Sequence, residues 1–150
     1  MRIRFLKSKF LLAWLPIVSL RLISILSGVG ENLKIVKYDE KEWMEKESYS
    51  KKILFTEDEL KSKGHLVQIV KSEAHTEIKP HYHKQTIEIY YILKGNAILF
   101  FGDKRFKAHQ GDTFLCEPRE AHGIINDTDE EFLLLVFKID AKEDDTYWVK

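Results

Sequence analysis

The chain has 150 residues, the size of one domain, and its 44% hydrophobic and 32% charged content excludes disorder on composition. Formal net charge is zero, but residues 1–30 hold five basic groups and no acid, leaving 19 basic against 24 acidic groups beyond them, a net of −5. That mildly acidic remainder lacks the basic footprint of a nucleic-acid binder, and a single cysteine, Cys116, excludes an intramolecular disulfide.

In chain order, residues 1–30 form a segment apart. Met1 to Lys9 is basic and Phe10 to Leu20 is mostly apolar, the order of a secretory signal's first two regions. Arg21 interrupts the apolar run before it is long enough for a bilayer core of roughly 30 Å, and Pro16 disturbs an amphipathic surface helix. Three readings stand side by side: a signal or membrane anchor, a surface helix, or a true start at Val29. Membrane contact arises only if residues 1–30 are real; the chain reads as cytoplasmic, with anchoring or export through residues 1–30 as the alternative.

Residues 31–58 read as an N-terminal extension. Within it, Asp39 to Glu47 is a charged loop or short helix around Trp43 and Met44, and Ser50 to Phe55 is a candidate strand. Thr56-Glu57-Asp58-Glu59 fits a capping box, which predicts a short helical turn before Gly64.

From residue 59 to 140 the helix period disappears. Leu66–Lys71, Glu77–His83, Ile87–Leu93, Ala97–Phe101, Arg105–Ala108, Thr113–Glu117, His122–Asn126 and Phe132–Ile139 are short runs rich in Val, Ile, Phe, Tyr and Leu. Gly95-Asn96, Gly102-Asp103, Gly111-Asp112 and Asn126 to Asp129 supply turns between them. Eight or so strands at this spacing predict an all-β, antiparallel sandwich or barrel. The tail, residues 141–150, is acidic and then aromatic, with Tyr147-Trp148-Val149 available to pack on the body or on a partner.

Chemistry concentrates in four residues. A His-x-His pair on a strand, His81 and His83, presents both imidazoles on one face because side chains alternate. Glu88 opens the next strand with Tyr90 and Ile92 on its face, and His122 opens a later one. Closure of a small barrel would bring all four together. Three imidazoles and a carboxylate suit one divalent transition metal ion: Fe, Mn, Ni, Co or Zn. The other histidines carry weaker signals: His109 precedes a turn, His75 suits a loop, and His65 follows Gly64. Tyr90 and, from the loop after His83, Gln85 are candidate pocket residues. Cys116 reads as packing, and Asn126 as a turn residue.

The pattern resembles the cupin superfamily. His81-x-His83-x4-Glu88-x6-Gly95 follows that family's first motif, except that His75 stands where its opening glycine belongs. Gly111 to His122, with His122-x3-Asn126, follows the second, except that Pro118 arrives one residue late and the internal glycine is replaced within Pro118-Arg119-Glu120-Ala121. The resemblance covers roughly residues 60–140. It implies a jelly-roll barrel of six to eight strands with His81, His83, Glu88 and His122 as metal ligands, and it implies a homodimer through an edge strand and the Trp-containing tail. For function it implies a small metalloenzyme, dioxygenase- or isomerase-like, on a small oxygenated or sugar-like molecule, with Glu88 as a base that can leave the metal. The reading from another class is a module that binds or senses a small ligand without chemistry.

Overall fold

A computed structural model describes residues 33–149. The chain divides into units at residues 1–35 and 36–150, and the architecture below is that of the second. The readings of residues 1–30 lie outside the described residues. Among the described residues no helix is long and apolar enough to cross a membrane.

Among the described residues, eleven strands and one helical turn follow in order: β1 (Met44–Glu45), β2 (Ser50–Phe55), α1 (Glu57–Leu60), β3 (Leu66–Ser72), β4 (Thr76–Tyr82), β5 (Ile87–Lys94), β6 (Ala97–Phe101), β7 (Lys104–Ala108), β8 (Thr113–Cys116), β9 (His122–Asn126), β10 (Phe132–Ile139) and β11 (Tyr147–Trp148). They form a six-stranded sheet, β1-β2-β3-β10-β5-β8, and a five-stranded sheet, β11-β4-β9-β6-β7. Every pairing is antiparallel. This is the predicted jelly roll, built as two facing sheets without closure into a continuous barrel.

The extra strands come from both ends. β2, within the predicted extension, pairs with β3 over Ser50↔Lys71 to Phe55↔Val67. β11 seals the edge of β4. The capping box at α1 is present: the Thr56 hydroxyl accepts from the Glu59 amide, and the Glu59 carboxylate accepts from the Thr56 amide at 2.8 Å.

The core lies between the sheets, and period-two alternation puts it there. Along β5, Glu88, Tyr90 and Ile92 are buried while Tyr91 between them is exposed. Ile92, Leu99 and Phe132 have no exposed surface, and Phe132 pairs with Ser72 at the end of the core away from the histidines. At the other end the inward positions are polar, which is where the candidate site sits.

Candidate metal centre

Strand register assembles the site. In the five-stranded sheet His81 on β4 pairs with His122 on β9, with Trp148 of β11 on the other side of His81. In the facing sheet Glu88 lies between Lys138 on β10 and Cys116 on β8. His83 follows one residue beyond β4. One ligand atom from each of His81, His83, Glu88 and His122 lies within 4.8 Å of the others. The ring centroids of His81 and His122 are 4.4 Å apart, and that of His83 is 5.5 and 5.4 Å from the two.

Each imidazole is oriented from behind by the backbone. Nδ1 of His81 meets the Lys79 carbonyl at 3.0 Å, Nδ1 of His122 meets the Glu120 carbonyl at 2.8 Å, and Nδ1 of His83 meets the Asp145 carbonyl. A carbonyl can only accept, so all three rings donate from Nδ1. That leaves an Nε2 lone pair on each neutral ring, which is the form a metal takes.

The carboxylate completes the arrangement. His83 Nε2 lies 3.5 Å from Glu88 Oε1, and His122 Nε2 lies 3.3 Å from Glu88 Oε2. Both Nε2 atoms are buried without a hydrogen-bond partner. Lone pairs facing carboxylate oxygens repel unless a cation lies between them, and ligand bonds of about 2.0–2.2 Å place neighbouring ligand atoms ~3 Å apart. The residues therefore fit a bound divalent metal.

Glu88 has two more partners. Lys138 Nζ lies 2.6 Å from Oε1, and the Tyr90 hydroxyl donates to Oε2 at 2.5 Å. Burial opposes ionisation of Glu88, but the Lys138 ammonium against its carboxylate favours it, and the carboxyl is held well below its ordinary range. Tyr90 moves the other way: burial, then the Glu88 charge, push its hydroxyl well above the usual value, so it keeps its proton. Burial, then the neighbouring His122 ring, lower His81 to about 4. Behind His122, burial and the Glu88 charge push the Cys116 thiol up to about 12, which leaves it protonated.

A small cavity of ≈ 70 Å³ opens beside these groups, lined by His81, His83, Glu88, Tyr90 and Lys138 together with Tyr49, Gln68, Thr146, Trp148 and apolar side chains. Tyr90 is thus brought to the cavity. Gln85 is not: its side chain is exposed, outside the lining, and its amide is bonded to Asp145. His75 and His109 lie on the surface beside Asp129 and Asp112, and His65 packs on Phe137. Asn126 ties turns together through the carbonyls of Ser72, Glu73 and Glu130.

Two groups escaped the sequence reading. Lys138 had a legible signal: Phe132, Leu134 and Val136 point inward, and Lys138 is next in phase. Asp145 had none, because its role depends on tertiary return of the tail.

The fold and site define a jelly roll with a three-histidine, one-carboxylate cluster at one end. Residues 68–138 match the family described as Cupin domain, the family whose two motifs the sequence resembles. Similar solved structures include the polyketide cyclase RemF from Streptomyces resistomycificus, with 16% identity over 79% of this chain and 86% of that one and a TM-score of 0.68. A predicted oxalate decarboxylase from Thermotoga maritima has 23% identity over 71% and 98%, with a TM-score of 0.64. An uncharacterized double-stranded β-helix protein from Klebsiella pneumoniae has 16% identity over 79% and 98%, with a TM-score of 0.65. At these identities the likeness is one of fold. No curated protein sequence matches the chain.

The two glycine replacements in the motifs have a structural account. His75 and Arg119, at the positions of the family's glycines, both adopt left-handed backbone, with φ of 56° and 69°. The turns keep their shape with the wrong residue in them. Arg119 also donates its amide to the His83 carbonyl at 2.6 Å, tying the second motif to the first.

Proposed function

We propose that the chain is a small metalloenzyme that binds one divalent transition metal ion through His81, His83, Glu88 and His122. The observation that carries this reading is the shared orientation of the three imidazoles. Each spends its Nδ1–H on a backbone carbonyl and turns Nε2 toward the others and Glu88. When bound, a metal of this kind supplies Lewis acidity toward an oxygen ligand or a place for redox chemistry.

The chain's own residues favour a small oxygenated substrate. Three neutral imidazoles, one carboxylate and the Lys138 ammonium add no net charge, so a dication leaves the pocket positive and suited to a carboxylate or enolate oxygen. Tyr90 holds a proton beside that position. A sugar-like molecule fits the same description; dioxygenase and isomerase activities are the first to assay, and the predicted oxalate decarboxylase and the polyketide cyclase of like fold add decarboxylation and cyclisation. Metal analysis of protein purified without a tag, followed by oxygen-uptake and isomerase panels, tests the reading. Absence of stoichiometric metal after loading with Fe, Mn, Ni, Co or Zn refutes it.

Glu88 as a detachable base is the narrower proposal. Glu88→Gln should retain metal and lose about 100-fold or more in turnover, and full activity refutes the role. One observation favours the second reading, a non-catalytic binding module: Lys138 and Tyr90 pin Glu88 in its ionised form, which makes it a weak base at neutral pH. Ligand binding without turnover across the panels would select that module. We also propose a homodimer through an edge strand; exposed Leu115 on edge strand β8 supports it, and light scattering decides it.

A further inference from the structure

The tail makes contacts that sealing a sheet edge does not require. Asp145 is buried, and its carboxylate accepts the amides of Lys84, Gln85 and Thr86 at 2.8, 3.1 and 3.0 Å and the Thr86 hydroxyl at 2.9 Å. Its carbonyl accepts Nδ1–H of His83. One residue, about sixty positions downstream, thus holds both a metal-ligand candidate and the three residues that follow it. Beyond Asp145, Tyr147 and Trp148 pair with Tyr82 and His81, and the Val149 amide donates to the Pro80 carbonyl at 2.9 Å. The Trp148 ring lies 5.0 Å from the His81 ring, and Tyr147 stacks on Tyr82 with Lys84 Nζ 4.0 Å from its centroid.

We propose that residues 141–149 form a strap belonging to the metal centre, with Asp145 as a positioning residue that fixes the His83 ring and its loop, and Trp148 as the cover over His81. The proposal rests on the metal reading above and adds a coupling to it. A neutral imidazole chooses its tautomer by the better acceptor on offer, and the Asp145 carbonyl is the acceptor behind His83. If the strap lifts, the loop amides turn to water, and Nδ1 and Nε2 of His83 become equivalent in solvation. Metal binding then has to select one tautomer and one ring orientation from several. The coupling is reciprocal, so bound metal must hold the strap down by the same factor by which the docked strap tightens metal.

The test uses the full chain without a tag, cobalt(II) as probe, and two readouts: affinity from the visible cobalt band, and hydrogen exchange of the amides at 84–86 and 147–149. Asp145→Ala keeps the backbone carbonyl but frees the strap that presents it to His83, so it should weaken cobalt 10–100-fold, as when an outer partner of a ligand is lost, and should speed exchange at both amide groups. Asp145→Asn, which keeps one acceptor oxygen, should fall between. Asp144→Asn, at an exposed neighbour, should match the parent. Cobalt should slow strap exchange in the parent and much less in Asp145→Ala. If Asp145→Ala does not fold, Thr86→Val removes one of the four carboxylate contacts and should shift both readouts in the same direction. Parental cobalt affinity in folded Asp145→Ala overturns the strap proposal while the four-ligand site stands. Parent protein that takes up no cobalt overturns the metal reading itself, and the coupling with it.

Discussion

Gly123, next to His122, is the position where a single methyl group should damage both fold and site. A Cβ built there would sit 2.2 Å and 2.9 Å from Cζ and Cε1 of Phe100, and 2.5 Å from the carbonyl oxygen of Ile78. The ring can swing; the carbonyl belongs to β4 and cannot. Relief therefore requires β9 to move away from β4 by close to an ångström at the Ile78↔Ile124 pair. Overpacking of this kind costs about 1–3 kcal/mol, and the backbone contact places Gly123→Ala near the upper figure. The same movement separates His122 from His81 across the ladder that sets their spacing, so cobalt affinity should also fall, by about the 10–100-fold seen for outer-partner losses. Urea unfolding with an unchanged slope gives the first quantity, and a cobalt titration gives the second. Phe100→Leu combined with Gly123→Ala should recover only the ring's share. A Gly123→Ala protein with parental midpoint and parental metal affinity refutes this close packing of β4 on β9.

Arg119→Gly should raise the unfolding free energy by about 0.5–1 kcal/mol, because a left-handed L-residue costs ~1–2 kcal/mol and glycine returns part of that as chain entropy. A lower urea midpoint would show that the arginine side chain contributes more than its backbone costs. His75→Gly should gain less, since it also loses the exposed contact to Asp129 at 2.8 Å; parity with Arg119→Gly would contradict that difference. For the metal-free protein, burial and then His122 lower His81 from 6.5 to about 4 in the fold, so between those values the unfolded chain binds more protons. Stability should rise as pH increases through this window, by at most about 3–4 kcal/mol, and solvent at the partly exposed ring makes that a ceiling. His81→Gln should flatten this part of the stability profile; an unchanged slope would exclude His81 as its source.

Strand positions were legible because turn glycines and period-two alternation both marked them. Ile87–Leu93 was read one residue short of β5, and Ser50–Phe55 matched β2. β1 and β11 were not legible as strands, since each is two residues long and exists only through its partner. The four clustered side chains followed from residue type, strand parity and motif spacing together. What surrounds them followed less well. Lys138 continues the inward face of β10, but an apolar run ending in lysine usually signals a strand leaving the core. Gln85, placed by proximity to His83, turns outward because its amide, with those of Lys84 and Thr86, is committed to Asp145.

The same contrast explains why the motif departures at His75 and Arg119 coexist with an assembled cluster. A glycine motif records a backbone requirement, and the requirement here is a left-handed φ that other residues meet at modest cost. A ligand motif records an atom, and no other residue type supplies an imidazole Nε2 at that place. Turn positions can therefore drift within the stability the core provides. Ligand positions cannot, and neither can the carbonyls of Lys79, Glu120 and Asp145 that aim the rings. Those carbonyls are indifferent to side-chain identity and invisible to any motif. They depend instead on strand register, the positive φ at Arg119 and the return of the tail, so the geometry of this site is carried largely by backbone that sequence patterns do not record.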